Sequence, residues 1–426
     1  MTRPPAVEAA ARAAAAIDPA LVPGLRRRLL IVLVITSALG STGYLAAVTV
    51  GTLAAAQMAG GAALGGVPTA ALTVGTATAA GVLSGLMLRF GRRPGLIIGL
   101  AIGFVGALVS FAAILAGSIP LLLGGSALTG FANGAGQLGR YVGADLAPLA
   151  RRASALGLVV WGATIGAVVG PNLTAPGGVL AESIGLPILA GPYLLTAAFI
   201  GAAIVVAWMA LRPEPYALAD PSALEMRAEG TDAPSALTLF RVPSVLVALV
   251  ALVAGQVVMV LIMTMTPIHL TQHGHGLSTV GLVLSAHTFG MFALSPISGR
   301  LTDRFGSPAV IACGLATMTA AALLSALAPP DGGLLLTLGL FLLGYGWNLG
   351  FVAGSSMLTR GLALAERTRV QGIADGLTWG SAAVASASSG VIVAGASYTA
   401  LGLLGIGLLV VPGLLLLLRR GTLAPS

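Results

Sequence analysis

Asn133, Gln137, Arg140 and Tyr141 fall at i, i+4, i+7 and i+8, a spacing that places all four along one face of a helix. Gln371, Asp375, Thr378 and Trp379 repeat that spacing further along the chain. Both sets interrupt long apolar runs. In hydrocarbon an ionisable side chain costs roughly 2.5 to 3.5 kcal/mol on the mildest scale, so the few that persist there are functional candidates. Arg140 and Asp375 are the foremost of these candidates; the alternative is an ion pair or helix-end cap near the inner interface, because Asp375 lies only a short way past Arg369. Asp145, nearer still to that interface, is assigned a structural role. All four histidines, His269, His273, His275 and His287, occur within nineteen residues. His287 lies mid-run, and an imidazole titrating near pH 6.5 suits proton binding and release; a hydrogen-bonded packing role is its alternative. The outer trio could ligate zinc, nickel, copper or iron. Without cysteine or carboxylates nearby an ordinary polar loop is favoured there, and no metal site is assigned. Trp161, Gln256, Tyr345 and Asn348 complete a sparse polar and aromatic set, with core packing as the alternative for each. So few polar handles suit lipophilic or amphipathic cargo better than a sugar.

The elements that must position these residues follow from composition. The 426 residues are 57% hydrophobic and 8% charged, with a mean hydropathy of +1.00. One soluble core cannot bury that much apolar surface, so lipid is the expected solvent. Runs long enough to cross a hydrocarbon layer lie near 29–53, 67–88, 95–117, 120–142, 154–175, 188–211, 243–267, 278–299, 308–328, 333–357, 370–394 and 400–418. Twelve transmembrane helices in two six-helix bundles are expected. The divisions are a tail at 1–25, a bundle at 26–211, a linker at 212–242 that reads as flexible and cytoplasmic, a bundle at 243–420 and a tail at 421–426. The first apolar run is too long for a cleavable signal core. With the N-terminus in the cytoplasm, every arginine falls on the inner side or in the inner half of a span, which predicts two cytoplasmic termini in a plasma (inner) membrane.

All 21 basic residues are arginine. Without lysine there can be no P-loop, Schiff base or kinase-type chemistry. The net charge of +8 is spread between apolar runs rather than gathered on a soluble face, so nucleic acid is not an expected partner. The single cysteine, Cys313, can form no intrachain disulfide. Gly134, Gly136 and Gly139 match a dinucleotide fingerprint but lie within a span with no preceding strand, so they serve helix packing. No nucleophile–base constellation is present; an enzyme is not expected, and neither is a cofactor.

The halves match at a constant offset of 215: Arg89-Phe90-Gly91 recurs as Arg304-Phe305-Gly306, Arg152 and Gly157 as Arg367 and Gly372, and Asn133 as Asn348. Duplicated bundles around a midplane site are a common transporter layout.

Gly299-Arg300-Leu301-Thr302-Asp303-Arg304-Phe305-Gly306 resembles motif A of the major facilitator superfamily, which lies between the second and third spans and again between the eighth and ninth. The first copy, Ser84 to Arg93, has Leu88 where the motif carries its acid. The resemblance implies that Asp303 faces the start of the fifth span and latches one conformational state. It also implies switch roles for Arg89, Gly91, Arg92, Gly299, Arg304 and Gly306. The alternative for the arginines is anchorage to lipid phosphates. Gly162, Gly166, Gly170 and Pro171 resemble the family's antiporter signature, although Asn172-Leu173 follow where two glycines are usual. Gly130 stands where the family's motif B carries an arginine, and Arg140 lies deeper along the same span. The resemblance further implies that the fourth and eleventh spans line a central cavity, with Arg140 and Asp375 on polar stripes that face one another across a solute pathway. The expected activity is proton-coupled export of small lipophilic or amphipathic solutes by alternating access, as a monomer in a lipid bilayer. Rival readings are an uptake permease, a divalent-metal exporter using the histidines, and a non-transporting sensor or scaffold.

Overall fold

The computed structural model describes residues 8, 12, 17–59, 66–219, 236–274, 277–328, 333–360 and 362–419. Most of the expected N-terminal tail, the middle of the linker at 220–235, His275 and the C-terminal tail lie outside the described residues.

Twelve long helices follow one another: α1 Val22–Met58, α2 Val67–Phe90, α3 Arg92–Ala116, α4 Ile119–Asp145, α5 Arg152–Asn172, α6 Ala190–Ala210, α7 Pro243–Gln272, α8 Leu277–Phe292 with its continuation Ser295–Phe305, α9 Ser307–Leu327, α10 Gly333–Met357, α11 Leu364–Gly395 and α12 Tyr398–Leu418. A short helix, Thr174–Ser183, follows α5. Among the described residues, eleven helices are long and apolar enough to cross a membrane. The twelfth, α4, has the length at 27 residues but carries the polar stripe from Asn133 to Asp145.

Local signals set the helix ends. Ser118 Oγ accepts from Leu121 N at the start of α4 and Ser397 Oγ from Ala400 N at the start of α12. The α2–α3 and α8–α9 turns pivot on Gly91 (φ 106°) and Gly306 (φ 84°), where a side chain would be strained.

The chain forms two compact units. In unit 1, α4 packs on α3, α2 and α1, and α6 packs on α1 and α3. In unit 2, α10 packs on α9, α8 and α7, and α12 packs on α7 and α9. Adding six to each helix number converts one pattern into the other, as duplication requires. Two helices are divided: Ala150–Trp161, with the first half of α5, belongs to unit 2 and the rest of α5 to unit 1, whereas Leu362–Trp379, with the first half of α11, belongs to unit 1 and the rest of α11 to unit 2. Gly166 and Gly170 set the unit 1 portion of α5 hard against the α1 backbone around Thr42.

Candidate functional site

Because Leu362–Trp379 lies in unit 1, the two polar stripes come together there. Arg140 Nη2 meets Asp375 Oδ1 at 2.6 Å, and both side chains are at most 3% exposed. Tyr141 OH donates to the same oxygen at 3.2 Å and accepts from Arg140 Nη2 at 3.0 Å. The other guanidinium nitrogen reaches Gln137 O at 2.5 Å and Oε1 at 2.9 Å. Gln137 continues the chain to Asn133 at 3.4 Å, and Asn133 to Thr76 of α2 at 3.3 Å. Asp375 Oδ2 is buried and has no partner among the described residues. One carboxylate oxygen thus anchors an arginine while the other makes no hydrogen bond to the described residues. Trp379 lies half-buried one turn further along α11.

A second buried cluster sits beside the first. Arg92 is fully buried, pairs with Asp145 at 2.7 Å and donates to Gln371 Oε1 at 2.9 Å. Glu214 Oε1 accepts from the amides of Arg92 at 2.6 Å and Arg93 at 3.3 Å, capping the positive end of α3. Burial pushes the Glu214 carboxyl above its ordinary value, opposed by those amides. Tyr216 is buried beneath the Arg92 guanidinium, 5.2 Å from its ring centroid, and its OH lies 2.8 Å from Thr368 Oγ1. Burial also raises its phenol.

Sequence reasoning missed Glu214 and Tyr216. Their stretch reads as a flexible linker, yet Pro215–Leu218 forms a buried 3-10 turn. The available signal was the pair of prolines, Pro213 and Pro215, which restrict φ on either side of the acid.

In unit 2, both oxygens of Asp303 meet the start of α5: Oδ1 accepts from Ala153 N at 3.1 Å, Oδ2 from Ser154 N at 2.9 Å, and the Ser154 hydroxyl adds a short bond. Gly299 lies against the α5 backbone at Ala153 and Ser154. Arg89 and Arg304 each lie over the next residue's ring, 5.2 Å from Phe90 and Phe305. Asn348 is saturated by α8, donating to Met291 O and Ser295 Oγ at 2.7 Å and accepting from Ser298 at 2.5 Å. Gln256 accepts from Trp347 Nε1 at 2.9 Å. His287 is fully buried; its Nδ1 lies 2.9 Å from Leu340 O, and Nε2 has no partner among the described residues. Tyr345 is half-buried and stacks on Phe341, while Trp161 is 38% exposed. The rings of His269 and His273 lie 4.3 Å apart, and that of His269 stacks on Tyr398. No group of three potential metal-ligating side chains occurs among the described residues.

The Major Facilitator Superfamily model matches residues 30–279 and 247–425. The chain belongs to the major facilitator superfamily. Among curated relatives, the uncharacterized MFS-type transporters YdeG and YddS of Bacillus subtilis are each 38% identical, covering 93% of this chain and 93% and 92% of their own. The riboflavin transporter RfnT of Brucella anthropi is 29% identical over 94% of this chain and 98% of its own length. Among solved structures, the E. coli fucose:proton symporter FucP superposes with a TM-score of 0.72 at 15% identity, covering 93% of this chain and 98% of its own. The proton:xylose symporter XylE gives 0.73 at 16% identity, covering 94% and 96%. At such identities they share the fold. The protein is an integral, multi-pass transporter of the alternating-access type, its twelve helices arranged as two pseudo-symmetric six-helix bundles.

Proposed function

We propose that the chain is a proton-coupled exporter of small lipophilic or amphipathic solutes, with Arg140, Tyr141 and Asp375 as its coupling centre. The observation that carries this is the unpartnered, buried Oδ2 of Asp375. A proton bound there neutralises the carboxylate and weakens its hold on Arg140, which keeps its bonds to Gln137 and Tyr141. The guanidinium can then turn toward a solute, and the first half of α11 is freed from α4. A membrane potential contributes about 2.3 kcal/mol per charge per 100 mV, enough to drive such a cycle. His287 is the second proton site, because its Nε2 is likewise buried and open. Gln137, Asn133, Trp161, Gln256, Tyr345, Asn348 and Trp379 form the pathway.

Asp303, Gly299, Arg304 and Gly306, with Arg89, Gly91 and Arg92 of the first copy, form the conformational switch; Gly166, Gly170 and Pro171 shape α5 for it. The protein works as a monomer in an inner membrane with both termini cytoplasmic, a placement that the arginine distribution supports. The relationship to RfnT favours a second reading, uptake of a planar heteroaromatic such as riboflavin, for which the Phe341–Tyr345 stack supplies an apolar face.

Flux measured in proteoliposomes under an imposed pH gradient tests the coupling, with a panel of lipophilic dyes and riboflavin as probes. Export predicts accumulation in everted vesicles that requires the gradient and is lost in Asp375→Asn. Flux indifferent to the gradient in the parent protein overturns the coupling, and accumulation only in right-side-out vesicles overturns the direction.

A further inference from the structure

The 215-residue repeat extends to the packing. Within unit 2, Gly157 of α5 abuts the α8 backbone at Ser295 and Gly299. Within unit 1, Gly372 of α11 abuts α2 at Ala80 and Ser84. The same shift relates every one of these positions to its counterpart, so α11 starts on α2 as α5 starts on α8.

The electrostatics of the two contacts differ. Asp303 binds first-turn amides because α5 begins at Arg152. Its counterpart is Leu88, and the counterparts of Ala153 and Ser154 are Thr368 and Arg369. Those two cannot offer free amides, since α11 begins earlier, at Leu364, and positions 368 and 369 lie in its second turn, where N–H groups bond within the helix. The helix start is closed by Glu366, whose carboxylate accepts from Ala363 N at 3.0 Å. A carboxylate at position 88 would find no free helix-end amides there, so the first repeat lacks the contact that Asp303 makes and needs another way to hold α11.

We propose that the segment Glu214–Ala219 is that device, a strap whose Tyr216 and Glu214 act as positioning residues for transport by holding the first turns of α11 in one state of the cycle and releasing them in the other. Tyr216 reaches α11 through Thr368 at 2.8 Å. The strap is tied to α1, whose Arg26 donates to Leu218 O at 2.9 Å and Ala219 O at 3.4 Å. It is tied to α3 through Glu214 on the Arg92 and Arg93 amides. Arg92 closes the ring, lying over Tyr216 while donating to Gln371 of α11. A carboxylate on a helix end in one repeat is replaced by a phenol on a threonine in the other. The proposal rests on the family's alternating access and not on the coupling ion or the solute.

The test uses Gly136→Cys as a reporter in a Cys313→Ser background, because Gly136, unlike Gly134 on Ala79, does not serve helix packing as its sequence context suggested and a side chain there meets open space. Labelling by a membrane-impermeant maleimide is measured from each face of proteoliposomes, without solute or pH gradient, so that the outcome is independent of the coupling proposed above. In Tyr216→Phe, labelling is expected to rise about threefold to tenfold from the face bearing the strap and to fall from the other, the population change that one lost hydrogen bond produces. Thr368→Val reads the same bond from its other end and should match, with no further change in the double variant. Unchanged labelling, an equal rise from both faces, or additive effects of the two substitutions would overturn the proposal.

Discussion

Two buried arginine–carboxylate pairs lie within one unit, both bear on α11, and they differ in what is left open. Gln371 and Asp375 are one helical turn apart, so one face of α11 receives Arg92 at one level and Arg140 at the next. Arg92 is enclosed by Asp145, Gln371, the Tyr216 ring and the capped end of α3, with its Nε buried and unpartnered among the described residues. Asp375 gives one oxygen to Arg140 and Tyr141 and keeps the other empty. The pairs thus differ in the buried atom left without a partner among the described residues, the donor Nε of Arg92 in one and the acceptor Oδ2 of Asp375 in the other, and only the acceptor suits the proton proposed above.

The comparison breaks most visibly at Asp375. Asp375→Asn leaves a buried guanidinium without its counter-charge, which is expected to cost about 3–5 kcal/mol of stability. The double variant Arg140→Met/Asp375→Leu should recover most of that stability while gradient-driven flux stays abolished. Thermal unfolding in detergent and proteoliposome flux measure the two effects, and a double variant that still transports would remove the pair from the mechanism.

Asp145→Asn is next, expected to cost about 3 kcal/mol for the same reason. Here Arg92→Met/Asp145→Leu should restore stability and leave flux slower but still dependent on the pH gradient, because Arg92 belongs to the proposed switch and not to the coupling centre. Loss of coupling in that variant would erase the distinction between the pairs.

Gln371→Leu removes a bond to a charged donor and should lower stability by about 2 kcal/mol without moving the pH profile of flux. A shifted profile would mean that the two clusters titrate together.

The smallest effect belongs to Glu214. Its folded pKa is raised by burial, so folding takes up a proton there: the stabilising contribution is complete below the ordinary glutamate pKa and is lost as pH rises through the higher folded value. Glu214→Gln should flatten that part of the stability–pH curve and change stability at neutral pH by less than about 1 kcal/mol. Melting temperature recorded across the acid range decides it, and an unaltered slope would assign the dependence to another group.

Much of the architecture was legible because its cause is local. Apolar runs of membrane-spanning length, separated by arginine and glycine turns, marked the helices, and the constant offset exposed the duplication. The stripe on α4 was legible from spacing alone. Asp303 was readable through its motif. The partnership of Arg140 with Asp375 was not, since 235 positions separate them and spacing along a helix says nothing of which helix lies opposite. Glu214 and Tyr216 escaped because prolines, acids and small residues look alike in a mobile linker and in a packed turn.

By itself, the amino-acid sequence determined the solvent of this protein, its helix count, its repeat and the scarcity of charge in its interior. Each depends on residue type and short-range period, which a chain carries before it folds. Only the tertiary structure decided that α5 and α11 are each divided between units, which carboxylate oxygen of Asp375 makes no bond to the described residues, and that a stretch after α6 is a buried turn packed on α1, α3 and α11. Those are matters of long-range proximity, in which burial and the satisfaction of buried polar atoms select one partner among many chemically equivalent ones.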